Sequence, residues 1–187
     1  MIRTSFKYKQ WKFPGGEIGV QVESNFGSRS TPVISWLVAP ATMHEEFFVV
    51  ANLVNAISRM PHSSIALKIS YLPYARQDRV CNAGESFARE VFEKMLYTLD
   101  VDHIDLYDVH SKSAFTHYNK LINVTNFDQV DLIPMRTTYD AIIAPDKGAI
   151  EKAKQVADLY GKPLIVLEKE RVDGKVVHKP LEQQKLR

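Results

Sequence analysis

The sequence predicts an α/β protein built on a parallel sheet flanked by helices. Two observations carry that expectation. Short apolar runs alternate with longer segments whose apolar residues recur at helical spacing, and polar clusters stand directly after several of those runs. Parallel strands need a long crossover between them, usually a helix, so this alternation reads as successive β-α-β units with helices on both faces of the sheet.

Val33-Ile34-Ser35-Trp36-Leu37-Val38-Ala39 reads as a buried strand ended by Pro40, and the stretch from His44 to Met60 as a helix stopped by Pro61. Ile65-Ala66-Leu67-Lys68-Ile69 is the next strand, after which Phe87, Val91, Phe92, Met95, Leu96 and Leu99 fall at helical spacing. Ile104-Asp105-Leu106-Tyr107 is a third strand. Ala141-Ile142-Ile143-Ala144 leads through Pro145-Asp146-Lys147-Gly148 into a helix carrying Ile150, Ala153, Val156, Ala157 and Leu159. Gly161 caps that helix and Leu164-Ile165-Val166-Leu167 follows as a strand. The segment from Tyr118 to Thr138 shows no sustained period, which sets a domain boundary near Thr138-Tyr139 and divides the chain into 1–138 and 139–187. The charged tail after Leu167, with Gly174 and Pro180, reads as a mobile loop.

Composition excludes several classes of function. Hydrophobic residues make up 45% of the 187, and 24 basic against 22 acidic side chains leave a formal charge of only +2, without the basic stripe of a nucleic-acid binder. The one cysteine, Cys81, has no internal partner, which fits a reducing cytosol. No apolar run approaches the roughly 18 residues that span a bilayer, and Met1-Ile2-Arg3-Thr4-Ser5 lacks a signal peptide's apolar stretch, so a cytoplasmic protein without membrane partners is expected. Neither G-x-x-x-x-G-K-[ST] nor G-x-G-x-x-G occurs, and no serine elbow or Cys-His spacing points to a hydrolase.

In open α/β sheets, ligand groups lie beyond the carboxyl ends of strands. Pro73-Tyr74-Ala75-Arg76-Gln77-Asp78-Arg79 follows one such strand. A planar guanidinium forks onto two phosphate oxygens and Gln77 adds a neutral donor and acceptor, so the run fits either a polyphosphate site or a salt-bridged surface turn. Asp108 and His110 sit two apart at another strand end, and Asp146 follows a third. Carboxylates there suit Mg²⁺, which keeps most of its waters; the imidazole suits Mn²⁺ or Zn²⁺ better, and His110 fits equally a plain hydrogen-bonded histidine. Asp146 opens a helix and fits an N-cap as well as an anion-friendly terminus. Lys169 and Arg171 are alternate residues past the last strand, either a cationic flap for a phosphoryl group in transfer or a solvated charge run.

Taken together, these clusters resemble ribose-phosphate pyrophosphokinase, the phosphoribosyl pyrophosphate synthetase family. The resemblance runs from about Phe13 to Arg171 and rests on Phe13-Pro14-Gly15-Gly16-Glu17, Tyr74-Ala75-Arg76-Gln77-Asp78-Arg79, Asp108-Val109-His110, Pro145-Asp146-Lys147-Gly148 and Glu168-Lys169-Glu170-Arg171. The hexapeptide from Tyr74 to Arg79 is the most specific of them. The resemblance implies two phosphoribosyltransferase-like domains and transfer of the β,γ-diphosphate of ATP to the 1-hydroxyl of ribose 5-phosphate, with AMP released. It implies that Arg76 and Gln77 bind ATP and that Phe13 and Glu17 complete the adenine pocket from a neighbouring subunit of a homodimer or homohexamer. His110 and Asp146 would hold Mg²⁺ with Asp108 in support, and Lys169 and Arg171 would act on the transition state.

Four positions depart from the family. Gly15 stands for an aspartate, Asn82 and Gly84 stand where basic residues are common, and Glu170 replaces an arginine. The family's sugar-phosphate loop, of Asp-Asp-x-x-Asp-Thr-Gly-Gly-Thr type, would come after residue 187, so the second domain is expected to be incomplete and the chain a C-terminally truncated form. The competing expectation is a catalytically silent member that binds nucleotide or assembles with a complete subunit. A phosphoribosyltransferase fits less well, for want of the same loop.

Overall fold

The computed structural model describes residues 1–107, 109–110, 121–125, 139–172 and 175–180. It comprises two compact units, Met1–Thr125 and Asn126–Arg187. The boundary expected near Thr138 falls in the stretch 126–138, which lies outside the described residues.

The first unit is built on a five-stranded sheet. Its strands are β1 (Ile2–Thr4), β4 (Val33–Trp36), β5 (Ala66–Ile69), β6 (His103–Tyr107) and β7 (Leu121–Thr125), and they lie in that order across the sheet. β1 pairs antiparallel to β4, whereas β4, β5, β6 and β7 run parallel. The register aligns Ile34 with Leu67 and Leu67 with Ile104, then Trp36 with Ile69 and Ile69 with Leu106. Those six side chains are buried, while the alternate positions Ser35, Lys68 and Asp105 are only half-buried. One face of the sheet is thus apolar and the other polar, the period of two that strand geometry dictates. On the polar face Lys68 Nζ lies 3.8 Å from Asp105 Oδ2.

Two helices cover the apolar face. Helix α1 (Met43–Ser58) buries Phe47, Val49, Val50, Leu53, Val54 and Ile57. Helix α2 (Ala88–Tyr97) sends Phe92 against Phe47 and Trp36, at ring-centroid distances of 5.4 and 6.3 Å. The expectation of helices on both faces is corrected for the described residues of this unit. β4, β5 and β6 step in the same direction across the sheet, and because such crossovers are right-handed, α1 and α2 land on the same side. Helix α2 also turns differently from its apolar pattern. Val91 and Met95 are exposed, while Arg89 and Glu93 are buried with Arg89 Nε 3.2 Å from Glu93 Oε1. Seating Phe92 and Leu96 in the core sets that rotation.

A hairpin of β2 (Tyr8–Lys12) and β3 (Ile18–Val22), unread in the sequence, packs on α1. Tyr8, Ile18, Val20 and Val22 lean on the core. Strand β7 lies within the segment taken as an irregular join.

In the second unit, β8 (Ile142–Ala144) pairs parallel with β9 (Leu164–Val172), and helix α3 (Ile150–Tyr160) connects them. Gly161 ends α3 in the left-handed conformation at φ 60, its N–H donating to the Ala157 and Asp158 carbonyls, as the sequence predicts. The charged tail is not the loop that was expected. β9 runs on through Lys169 and Arg171 to Val172, and β10 (Lys175–Pro180) returns antiparallel beside it, with Lys169 opposite His178 and Arg171 opposite Val176. Backbone hydrogen bonding between the two strands holds this stretch extended although it has no apolar anchor of its own. Among the described residues no helix is long and apolar enough to cross a membrane.

Candidate functional site

The chain leaves β5 through two consecutive tight turns. Ala75 N–H donates to the Leu72 carbonyl at 3.2 Å and Gln77 N–H to the Tyr74 carbonyl at 2.9 Å. Leu72, Pro73 and Ala75 are buried, which anchors the turn on its inner side and leaves Arg76 and Gln77 exposed. The chain leaves β6 through buried Val109 to exposed His110. Because β5 and β6 are parallel neighbours, with Ile69 level with Leu106, their carboxyl ends deliver these two loops side by side.

They enclose a cavity of about 480 Å³ lined by Arg76, Gln77, Asp78, Arg79, Cys81, Glu85 and His110. Its lining is polar and carries two guanidinium groups. Among the described residues no ion pair ties Asp78 to Arg76 or Arg79, so the salt-bridged turn weighed from the sequence is not what forms. The sequence reading named Arg76, Gln77 and His110 for this place and assigned no role to Arg79, Cys81 or Glu85.

Glu85 organises the far wall. Its carboxylate accepts from the backbone N–H groups of Cys81 and Asn82, at 2.9 and 3.0 Å, and from the Asn82 side chain. The Asn82 side-chain bond first, then the two backbone bonds, hold the Glu85 carboxyl below the usual carboxylate range, since each favours the charged form. A depressed folded-state pKa gives order that is complete above the ordinary glutamate value and lost as pH falls through the depressed one. The Cys81 and Asn82 amides are therefore expected to stay protected at neutral pH and to exchange faster only once pH drops below the ordinary glutamate range. Proton-exchange NMR across that range, read as protection relative to the intrinsic amide rate at each pH, checks this, and Glu85→Gln should show the low protection at every pH. The only sequence trace of this arrangement is an acidic residue three positions after Asn82, a spacing too common to read alone.

The other predicted site residues form two further groups. In the second unit Asp146 caps the 3-10 turn Lys147–Ala149, its Oδ1 accepting from Ala149 N–H at 3.1 Å. Its Oδ2 lies 4.0 Å from Lys169 Nζ. The parallel pairing of β8 with β9, Ala144 level with Val166, puts the residues after β8 next to the far half of β9. Lys147 Nζ similarly lies 3.4 Å from Glu168 Oε1. Phe13 and Glu17 sit in the β2–β3 turn, where Phe13 N–H donates to the Glu17 carbonyl at 2.8 Å and Gly16 adopts φ 96. The Phe13 ring is half exposed and meets Trp11 edge-on at 5.9 Å. A Cβ at Gly15 would come 2.6 Å from Glu17 Oε2, so the family's aspartate at this position would push the Glu17 carboxylate aside. Neither Phe13 nor Glu17 lines the cavity at Arg76. Asp108 lies outside the described residues, and among those described no three His, Cys, Asp or Glu side chains converge as a metal cluster.

Comparison with known proteins agrees with this architecture. Residues 3–99 match the family described as the N-terminal domain of ribose phosphate pyrophosphokinase. A ribose-phosphate pyrophosphokinase from Pyrococcus abyssi is 32% identical over 166 residues, covering 86% of this chain and 55% of that protein. Ribose-phosphate pyrophosphokinase 2 from Archaeoglobus fulgidus is 30% identical over 171 residues, covering 89% of this chain and 56% of the relative. The chain therefore spans about half the length of the curated relatives it matches. In three dimensions it resembles the crystal structure of phosphoribosylpyrophosphate synthetase from Mycobacterium smegmatis, with a TM-score of 0.71 at 20% identity over 95% of this chain and 59% of the other. Since the matched family segment takes up just over half of the 187 residues and includes β5 and the turn that carries Arg76 and Gln77, the chain belongs to the ribose phosphate pyrophosphokinase family, whose N-terminal domain it contains.

Proposed function

We propose that this chain is the nucleotide-binding portion of an ATP-dependent ribose-phosphate diphosphokinase. Its reaction moves the β,γ-diphosphate of ATP to the 1-hydroxyl of ribose 5-phosphate. A bond forms between that hydroxyl oxygen and the β-phosphorus, the bond from the β-phosphorus to the α,β-bridging oxygen breaks, AMP leaves with that oxygen, and the hydroxyl proton is released. The observation that carries this reading is the cavity where Arg76, Gln77 and His110 meet at the ends of neighbouring parallel strands.

Arg76 binds the polyphosphate through its forked donors, and Gln77 orients the nucleoside end. Phe13 and Glu17, outside that cavity in their own chain, complete the adenine pocket of a neighbouring subunit in a homodimer or homohexamer. His110 and Asp146, with Asp108, are the residues that would hold Mg²⁺. The Asp146 carboxylate has the oxygen chemistry that a largely hydrated ion takes, with Oδ1 in its capping bond and Oδ2 4.0 Å from Lys169 Nζ, while the His110 imidazole is the less usual donor for Mg²⁺. Magnesium held by these residues would supply positive charge to the phosphate oxygens. Lys169 and Arg171 stabilise charge on the phosphoryl oxygens in transfer. The layout proposed is a phosphoribosyltransferase-like domain over 1–138 and the first part of a second over 139–187, in a cytoplasmic enzyme.

Arg76→Ala tests the site directly. Calorimetric titration with Mg·ATP should show binding weakened by about 1–3 kcal/mol, the loss expected for a charge-assisted contact. Unchanged affinity would remove Arg76 from the nucleotide site.

A further inference from the structure

Tyr74 holds a backbone conformation that its side chain opposes. The first turn after β5 runs Leu72-Pro73-Tyr74-Ala75, closed by the Ala75 N–H to Leu72 carbonyl bond, with proline at its second position and Tyr74 at its third at φ 62. That is the pattern of a type II turn, whose third position calls for glycine or asparagine because a Cβ crowds the left-handed backbone. Tyr74 is the only non-glycine residue with positive φ among those described. Such strain persists only where surrounding contacts over-determine it, and it concentrates at functional sites.

His44 and Phe92 supply those contacts. The Tyr74 hydroxyl lies 2.6 Å from His44 Nε2, and its ring packs against His44 and Phe92 at centroid distances of 6.1 and 5.9 Å. His44 stands in the first turn of α1, the helix entered from β4, next to β5 in the sheet. Tyr74 is also the first residue of the second turn, its carbonyl receiving Gln77 N–H, so the same residue fixes the third position of one turn and the first of the next. Arg76 and Gln77 are the outward residues of that second turn and reach the cavity that Tyr74 itself does not line. The geometry points to His44 and Tyr74 as a positioning brace: a histidine on α1 ties the tyrosine into a glycine-type conformation and thereby presets where Arg76 and Gln77 meet a polyphosphate. The inference rests on the reading of Arg76 and Gln77 as nucleotide-binding residues.

Three measurements on the 187-residue chain test it and separate it from that reading. Without ligand, Tyr74→Phe and His44→Leu should raise the exchange rate of the Gln77 amide by about tenfold while leaving the midpoint of global unfolding in place, since only a local tie is lost. His44→Gln, which keeps a polar group at the site, should recover much of the protection. With Mg·ATP, the two disruptive variants should bind about three- to tenfold more weakly, the range of one hydrogen bond's net effect. Tyr74→Gly should also unfold later than Tyr74→Ala, the reverse of the ordinary order, because glycine alone relaxes the turn. Wild-type exchange at Gln77 in Tyr74→Phe would overturn the brace. So would faster exchange with wild-type affinity when Arg76→Ala binds weakly. If Arg76→Ala binds as tightly as wild type, the nucleotide reading fails, and the exchange data still decide whether the brace exists.

Discussion

Trp36→Ala is expected to destabilise the first unit by about 3–5 kcal/mol, the range for emptying the site of a buried large aromatic side chain. The indole is fully buried at the end of β4, in the row of Trp36, Ile69 and Leu106, and it is where both helices meet the sheet. Phe47 of α1 lies 6.2 Å away and Phe92 of α2 6.3 Å, ring to ring, so deleting it strips contacts from both at once. A polar cost adds to the cavity. Trp36 Nε1 donates at 2.7 Å to Glu46 Oε2, whose other oxygen accepts from Thr42 and from the Met1 ammonium. Burial works to raise the Glu46 carboxyl, but those hydrogen bonds together with the ammonium's attraction outweigh it and hold the group below the usual carboxylate range. Chemical denaturation followed by circular dichroism should show an earlier midpoint for Trp36→Ala. Trp36→Phe, which loses the N–H but keeps most of the ring, should fall between the two. A phenylalanine variant as unstable as the alanine one would place the main contribution in the hydrogen bond instead of the packing.

Lys169→Ala is expected to lower turnover by about a thousandfold or more while changing substrate affinities only a few-fold, if the cation acts on the phosphoryl group in transfer. Steady-state kinetics measure turnover and KM together. Folding should survive the substitution. Lys169 is exposed, its strand is held by backbone pairing with β10, and its ammonium stands 4.0 Å from the Asp146 carboxylate, a surface pairing worth little. A parallel loss in KM and kcat, or a loss in KM alone, would assign Lys169 to ground-state binding.

Helix α1 was readable almost to the residue because its evidence is local. Apolar spacing marks its body and Pro61 forbids its continuation. Gly161 was readable for the same kind of reason. The hairpin of β2 and β3 was not, since Tyr8–Lys12 mixes two aromatic residues with lysines and a glutamine and the strand stays exposed along most of its length. β9 misled in the opposite direction. Glu168, Lys169, Glu170 and Arg171 carry no strand signature, and they are extended because β10 lies alongside. In the candidate site, Arg76, Gln77 and His110 stood out by residue type and by following strands. Glu85, Tyr74 and His44 did not, because a carboxylate folding back on two amides and a tyrosine tied to a distant helix are relations between positions up to 30 residues apart.

The sequence by itself determined the alternation of strands and helices, the ends of α1 and α3, and the family to which the chain belongs, since periodicity, proline, glycine and a specific hexapeptide act through near neighbours in the chain. Only the tertiary structure decided that the strands step one way across the sheet and put α1 and α2 on one face, and that the loops after β5 and β6 share a cavity. The backbone hydrogen bonds that set strand order are the same for every residue type, so they leave no mark in the sequence that a reader can follow.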